Sequence, residues 1–199
     1  MKNYFSVLLL LSFFLSNAQD KKEETSQEFQ FELNKKYADS TSSPLNKEDL
    51  DHFKGLVFFE IDSKYVIEAT FVRTKREKIF KMETTTSRLP EYKKYGELFF
   101  SIEGKDFKLN VYQNIDLSKK KEYKDYLFLP FTDLTCGNQS YVGGRYIDLR
   151  IPKKDIVRID FNKSYNPYCA YNPKYSCPIV PIENDLAIEI KAGVKKFHD

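Results

Sequence analysis

The stretch Leu98-Phe99-Phe100-Ser101-Ile102-Glu103-Gly104-Lys105-Asp106-Phe107-Lys108-Leu109-Asn110-Val111 decides the fold class. Leu98, Phe100 and Ile102 recur at every second position, and so do Phe107, Leu109 and Val111, with Lys108 and Asn110 between them. A period of two places each trio on one face of a pleated strand. Glu103-Gly104 sits between the two runs as a two-residue turn, so the segment reads as a β-hairpin.

The same period extends in both directions. Tyr65, Ile67, Ala69 and Phe71 alternate with partly polar neighbours, and further strands are expected over 56–61, 78–84, 126–130, 145–151, 156–161 and 186–190. Most connections are too short for a crossover helix, which makes neighbouring strands antiparallel. The chain holds 17 Phe and 14 Tyr but no Trp, and Phe and Tyr suit a half-buried pleated surface. The expectation is a mainly β protein: an antiparallel barrel or sandwich of about nine strands.

Two short helices precede the strands. Thr25 with Glu28 three residues on forms a capping box, and Phe29, Leu33 and Tyr37 follow as one apolar stripe. Ser40-Thr41-Ser42-Ser43-Pro44 ends that helix. A second one, capped by Asn46, carries Leu50 and Phe53 inward.

The start of the chain addresses the protein for export. Lys2 precedes an apolar run from Tyr4 to Leu15, and the small residues Ser16 and Ala18 bracket a cut before Gln19. This is the layout of a secretory signal peptide. The run is shorter than the roughly 20 residues that span a bilayer. Residues 1–18 are therefore read as the leader, 19–24 as a flexible lead-in and 25–199 as one β-rich domain, periplasmic or secreted. No membrane span remains after the leader is removed. A buried N-terminal helix is the weaker alternative, because Leu8, Leu9, Leu10, Phe13 and Phe14 would make it apolar all round.

Composition excludes some partners. The net charge of +3 falls by one with the leader, and acids and bases interleave, so nucleic acid is not an expected partner. Lys119-Lys120-Lys121 is answered by Glu122 and Asp125 and reads as a solvated loop. The only histidines are His52 and His198, and the cysteine spacing matches no paired-ligand pattern, so neither metal nor cofactor is implied. No Gly-x-Ser-x-Gly elbow or His-Glu-x-x-His helix occurs.

The C-terminal third carries the informative pattern. Gly143-Gly144-Arg145-Tyr146 is followed by Asp148, then Asp160-Phe161-Asn162, Tyr165-Asn166-Pro167 and Cys169-Ala170; Cys177-Pro178, Glu183-Asn184 and Ala192-Gly193 complete it. These residues, with Ser43-Pro44-Leu45 and the stretch from Phe53 to Phe59, resemble the bacterial domain of unknown function 1684. The chain departs from that family's pattern at Cys136 and at Val194. The resemblance implies no activity, so the residues must be read on their own chemistry.

Ile147, Leu149 and Ile151 share one strand face, leaving Tyr146, Asp148 and Arg150 on the other. Val157, Ile159 and Phe161 likewise oppose Arg158, Asp160 and Asn162. If these strands pair apolar to apolar, Asp148 and Asp160 face the same side. That face is either a salt-bridged surface or a carboxylate pair for acid–base chemistry. Arg145 falls on the apolar face and needs acceptors, from Asp133 or Glu183 or from an anionic ligand. Gly143-Gly144 reads as a tight turn or bulge into the strand. Tyr165-Asn166-Pro167 and Tyr171-Asn172-Pro173 are two Asn-Pro turns. Their ordered aromatic loop either lines a binding site or plugs one end of a barrel. Cys169 and Cys177 bracket the second turn, and in an oxidising compartment they are expected to form a disulfide, with Cys136 left as a buried thiol.

The ligand-binding candidates are thus Arg145, Asp148, Asp160, Asn162, Tyr165, Asn166 and Asn184. The leading reading is a small-molecule-binding or envelope-associated accessory protein, its partner a small molecule or an envelope component. The alternatives are a hydrolase using Asp148 with Asp160 or Arg145 with Asp133, and a structural or protein-interaction module.

Overall fold

A computed structural model describes residues 24–198. The leader and all but the last residue of the lead-in lie outside the described residues. Helix α1 spans Ser26–Ala38 and helix α2 spans Lys47–Asp51. Thr25 caps α1 through the expected capping box: its Oγ1 accepts from the Glu28 N–H at 3.1 Å, and the Glu28 carboxylate accepts from the Thr25 N–H at 2.7 Å. Asn46 caps α2 in the same sense, accepting from the Asp49 N–H at 2.9 Å.

Eight strands follow: β1 Val66–Arg73, β2 Phe80–Lys81, β3 Glu91–Ile102, β4 Lys105–Asn114, β5 Tyr126–Asp133, β6 Arg145–Arg150, β7 Ile156–Asp160 and β8 Asp185–Leu186. They form one sheet with the order β6-β5-β4-β3-β1-β7; β2 pairs with β3, and β8 runs parallel to β5. The protein is mainly β and antiparallel, as expected, but the sheet curls into a half-barrel that stays open. Residues 56–61 do not form a strand; Phe58 makes a single bridge to Val194. The strands expected over 78–84 and 186–190 shrink to the two-residue β2 and β8.

The hairpin β3–β4 forms in the expected register, with Leu98 opposite Leu109 and Ile102 opposite Lys105. Glu103 (φ 53°) and Gly104 (φ 75°) both adopt positive φ, the geometry whose twist matches the strands. Glu103 is the one non-glycine residue in that region among the described residues.

Strands β6 and β7 do not pair with each other, contrary to the expectation; they are the two ends of the sheet. Residues 151–155 join them, and a chain that short reaches only about 20 Å. The sheet must therefore curl until its ends approach. Beyond β7 the chain turns and meets β6 once: the Tyr146 N–H donates to the Tyr165 carbonyl at 2.9 Å, and the Tyr146 carbonyl accepts from the Tyr165 N–H at 3.0 Å. That bridge closes part of the gap.

The sheet is covered on both faces. One face packs Leu98, Leu109, Leu129, Ile147, Ile159 and Phe161 into the main core. The other carries an aromatic cluster of Tyr92, Tyr112, Phe128 and Tyr146 with Met82. Tyr92 reaches this second face because a bulge between Lys94 and Gly96 shifts the β3–β4 register by one residue. A one-residue shift sends every side chain beyond it to the opposite face.

Candidate functional site

Helix α1 docks across the second face of the sheet by its N-terminal turn. The Ser26 hydroxyl donates to Asp160 Oδ2 at 2.7 Å, and Gln30 Nε2 donates to the Asn162 carbonyl at 3.1 Å. Between the helix and the sheet lies a cleft of about 510 Å³. Its helix wall is Phe29, Glu32, Leu33 and Lys36, one face at helical spacing. Its floor is Tyr92, Tyr126, Phe128 and Tyr146, and its far wall is the loop carrying Tyr165, Pro167 and Tyr168. Glu24, Leu117, Cys177 and Pro178 complete the rim.

The aromatic residues form a continuous edge-to-face run. Ring centroids are 5.9 Å apart for Tyr92 and Phe128, 4.7 Å for Phe128 and Tyr146, and 6.0 Å for Tyr146 and Tyr165. Such contacts fix the rings, so the cleft is preformed. The Tyr146 hydroxyl donates to the Pro178 carbonyl, anchoring the rim.

Asp148 is an exposed carboxylate at the open side of this largely apolar space. Its Oδ1 accepts from the Tyr126 hydroxyl at 2.8 Å and from the Tyr165 hydroxyl at 2.6 Å. Burial, and then the charge of Asp148, push both phenols well above the usual tyrosine range. Both therefore remain donors throughout the physiological range. Among the described residues no Lys, Arg or His forms an ion pair with Asp148, and no group bonds its Oδ2.

The other candidates lie elsewhere and bond to the protein itself, although Arg145 Nε and Asn166 Oδ1 are buried without a partner. Arg145 is 0 % exposed, and its Nη2 donates to Asp133 Oδ2 at 2.6 Å and to the Ile190 carbonyl at 2.8 Å. Its Nη1 donates to the Ala192 carbonyl, and its guanidinium stands over the Phe131 ring at 5.2 Å. Gly144 lets the chain enter β6 here: its φ is +85°, and a Cβ would meet the Phe131 carbonyl at 2.5 Å.

Asp160 is buried under α1, where it accepts the Ser26 hydroxyl and the Asn162 N–H and Nδ2, each of the latter at 3.0 Å. Asn162 also exchanges bonds with the Asp62 backbone. Asp148 and Asp160 both leave the core face but sit on strands at opposite ends of the sheet order, so the shared face that adjacent strands would give them, whether salt-bridged or an acid–base pair, is not built by strand pairing. Asn166 is buried, with its Nδ2 on the Lys195 carbonyl at 2.9 Å.

Asn184 acts as a missing piece of sheet. Strands β4 and β5 share only the pair Tyr112 and Phe128. Between them, Asn184 Oδ1 accepts from the Asn110 N–H at 2.8 Å, and its Nδ2 donates to the Asn110 and Pro130 carbonyls at 2.9 and 2.6 Å. Pro130 has no N–H to offer a ladder, so the side-chain amide replaces it.

The expected disulfide is not made: Cys136, Cys169 and Cys177 are free thiols. Cys177 is held instead by the 83–86 segment, with its N–H on Thr85 Oγ1 at 3.1 Å and its carbonyl accepting from the Thr85 N–H at 2.9 Å. The Cys169 N–H donates to Cys177 Sγ at 3.2 Å, so the sulfurs stand close. The hydrogen bond from the Cys177 thiol lowers Cys169 to about 6, and the same bond raises Cys177. Cys136 is half-buried rather than buried, beside Asp133, and its thiol is raised by that burial. Among the described residues no group of three His, Cys, Asp or Glu side chains is arranged to hold a metal, and no helix is long and apolar enough to cross a membrane.

Two of the sequence candidates, Asp148 and Tyr165, therefore reach the cleft. Sequence reading missed Tyr92, Tyr126, Phe128 and the α1 wall. The i, i+4 spacing of Phe29 and Leu33 was the available signal for the wall; the bulge that re-aims Tyr92 has none.

The family model described as protein of unknown function (DUF1684) matches residues 51–195. The chain is similar to an uncharacterized protein of Haloarcula marismortui solved by solution NMR, at 33 % identity and a TM-score of 0.66. That likeness covers 85 % of this chain and 91 % of the other. No curated protein matches.

Proposed function

We propose that this chain, which belongs to the DUF1684 family, is an exported binding protein that takes a small amphipathic molecule into the cleft between α1 and the sheet. The observation that carries the reading is the cleft itself. Its size falls within the ~300–1,000 Å³ usual for small-molecule sites, and a mostly apolar, rigid aromatic lining is edged by a few charged groups, Asp148 among them. The ligand's apolar body lies on Tyr92, Phe128 and Tyr146, and its polar end meets Asp148. Export rests on residues 1–18, whose charge, apolar run and small-residue cut form a signal peptide pattern.

The remaining candidates act as the frame. Arg145, Asp160, Asn162, Asn166 and Asn184 hold the strands, α1 and the loop in the positions that shape the cleft. A polar contact 1 Å out of place weakens a site, and buried hydrogen-bonded supports prevent that.

The test is native mass spectrometry of the mature chain purified from its own host under non-denaturing conditions. A small-molecule adduct is expected on the wild type and absent from Leu33→Trp, whose indole fills the cleft, with both variants melting alike. An adduct retained by Leu33→Trp, or none on the wild type, contradicts the reading.

A further inference from the structure

We infer that the cleft selects an organic cation: a molecule with an amine or quaternary ammonium head and an apolar body of about six carbons or more. This rests on the binding reading above and specifies its ligand.

The inference follows from how the charge of Asp148 is housed. Asp148 is exposed to solvent at the edge of the aromatic lining, so its charge is open to an incoming ligand, and its hydroxyl donors stabilise that charge without neutralising it. Asp148 has two phenol donors on one oxygen and no ion-pair partner among the described residues. Around it the walls present ring faces and edges, and aromatic faces attract cations. Aromatic walls with a single carboxylate supply both elements that hold an ammonium group: dispersion and quadrupole attraction for its methyl groups, and a full opposite charge.

Glu24, Glu32 and Asp148 face the cleft against Lys36. Lys36 is itself engaged: its Nζ donates to the Tyr168 hydroxyl at 2.5 Å and lies 5.3 Å from that ring. Glu32 shares Lys35 at 3.6 Å on the exposed side of α1. Asp148, which has no ion-pair partner among the described residues, repels carboxylate, sulfate and phosphate heads. A neutral sugar head meets few donors or acceptors here beyond Asp148 and its two tyrosines, so shape alone would hold it.

Three probes with one tail separate these classes: hexyltrimethylammonium, hexyl glucoside and hexyl sulfate, titrated by calorimetry into the mature chain. The cation is expected to bind at least tenfold more tightly than the glucoside, a difference of about 1.4 kcal/mol, and the sulfate not at all. Asp148→Asn keeps an acceptor for both phenols and is expected to cut cation affinity at least tenfold while changing the glucoside's by much less. In the wild type, raising salt from low to physiological strength is expected to weaken the cation alone, a readout that needs no variant. If the glucoside or sulfate binds as tightly as the cation, the cation assignment is overturned and the cleft survives as a binding site. If none of the three binds, the binding reading falls with it.

Discussion

Replacing Asp133 by Asn removes one charge from a buried pair while changing almost no volume. Both side chains are 0 % exposed, and the pair closes at 2.6 Å. The new amide oxygen can still accept from the Thr135 N–H and the Ile190 N–H, which bond Asp133 Oδ1 at 2.8 and 3.1 Å. What is lost is the counter-charge, and the new NH₂ group faces Arg145 Nη2 donor to donor. Arg145 then keeps only carbonyls, a hydroxyl and the Phe131 ring in a space that water does not reach. Breaking one side of such a pair costs roughly 3–5 kcal/mol. Against a typical domain stability of about 5–15 kcal/mol, that is a large share. With a urea m-value near 2 kcal/mol/M, the unfolding midpoint falls by roughly 1.5–2.5 M at unchanged slope. The assay is equilibrium urea unfolding followed by circular dichroism. The double variant Asp133→Asn, Arg145→Met carries no orphan charge and is expected to be more stable than Asp133→Asn alone. A single-variant cost under 1 kcal/mol, or a double variant that is additive, refutes the reasoning.

Three further outcomes follow from the same structure. Glu103→Asn is expected to raise stability by about 0.5–1 kcal/mol, since Asn tolerates the positive φ that Glu bears with strain; thermal melting reads it. Asn184→Ala leaves the Asn110 N–H and the Asn110 and Pro130 carbonyls unpaired and is expected to cost about 2–4 kcal/mol by urea titration. Iodoacetamide is expected to alkylate Cys169 first, with a rate that rises through a midpoint of about 6 as the thiolate forms, because its depressed value leaves it ionised above that pH. Cys136, raised by burial, is expected to react slowly until well above neutrality, and peptide mapping of the labelled sites distinguishes the two.

What could be read from sequence was local. The 98–111 hairpin announces itself because both strands and the turn lie within fourteen consecutive residues, and the period of two names the buried face. The capping of α1 is equally short-range. Sheet order is not: β1 lies beside β7, so Ile67 meets Ile159 across more than ninety residues of chain. Two consecutive strands with matching apolar faces, β6 and β7, suggested a pairing that the curl of the sheet instead divides between its two ends. The 56–61 run has strand-like residues but only one bridging partner in Val194. The candidate site was legible in part for a related reason. Asp148 and Tyr165 stood out as polar and aromatic residues within a dense motif, yet most of that motif turned inward as framework. The cleft walls come from α1, β3 and β5, whose convergence depends on the Ser26–Asp160 contact and on the Lys94–Gly96 bulge.

The most direct measurement of the central claim is amide chemical-shift mapping of the isotope-labelled mature chain during titration with hexyltrimethylammonium. The account predicts saturable shifts that cluster at Leu33 and Lys36 on α1, Phe128 and Asp148 on the sheet, and Tyr165 on the loop, with the amides around Arg145 and Asn184 unmoved. Shifts that never saturate, or that gather on a surface away from these five residues, contradict it.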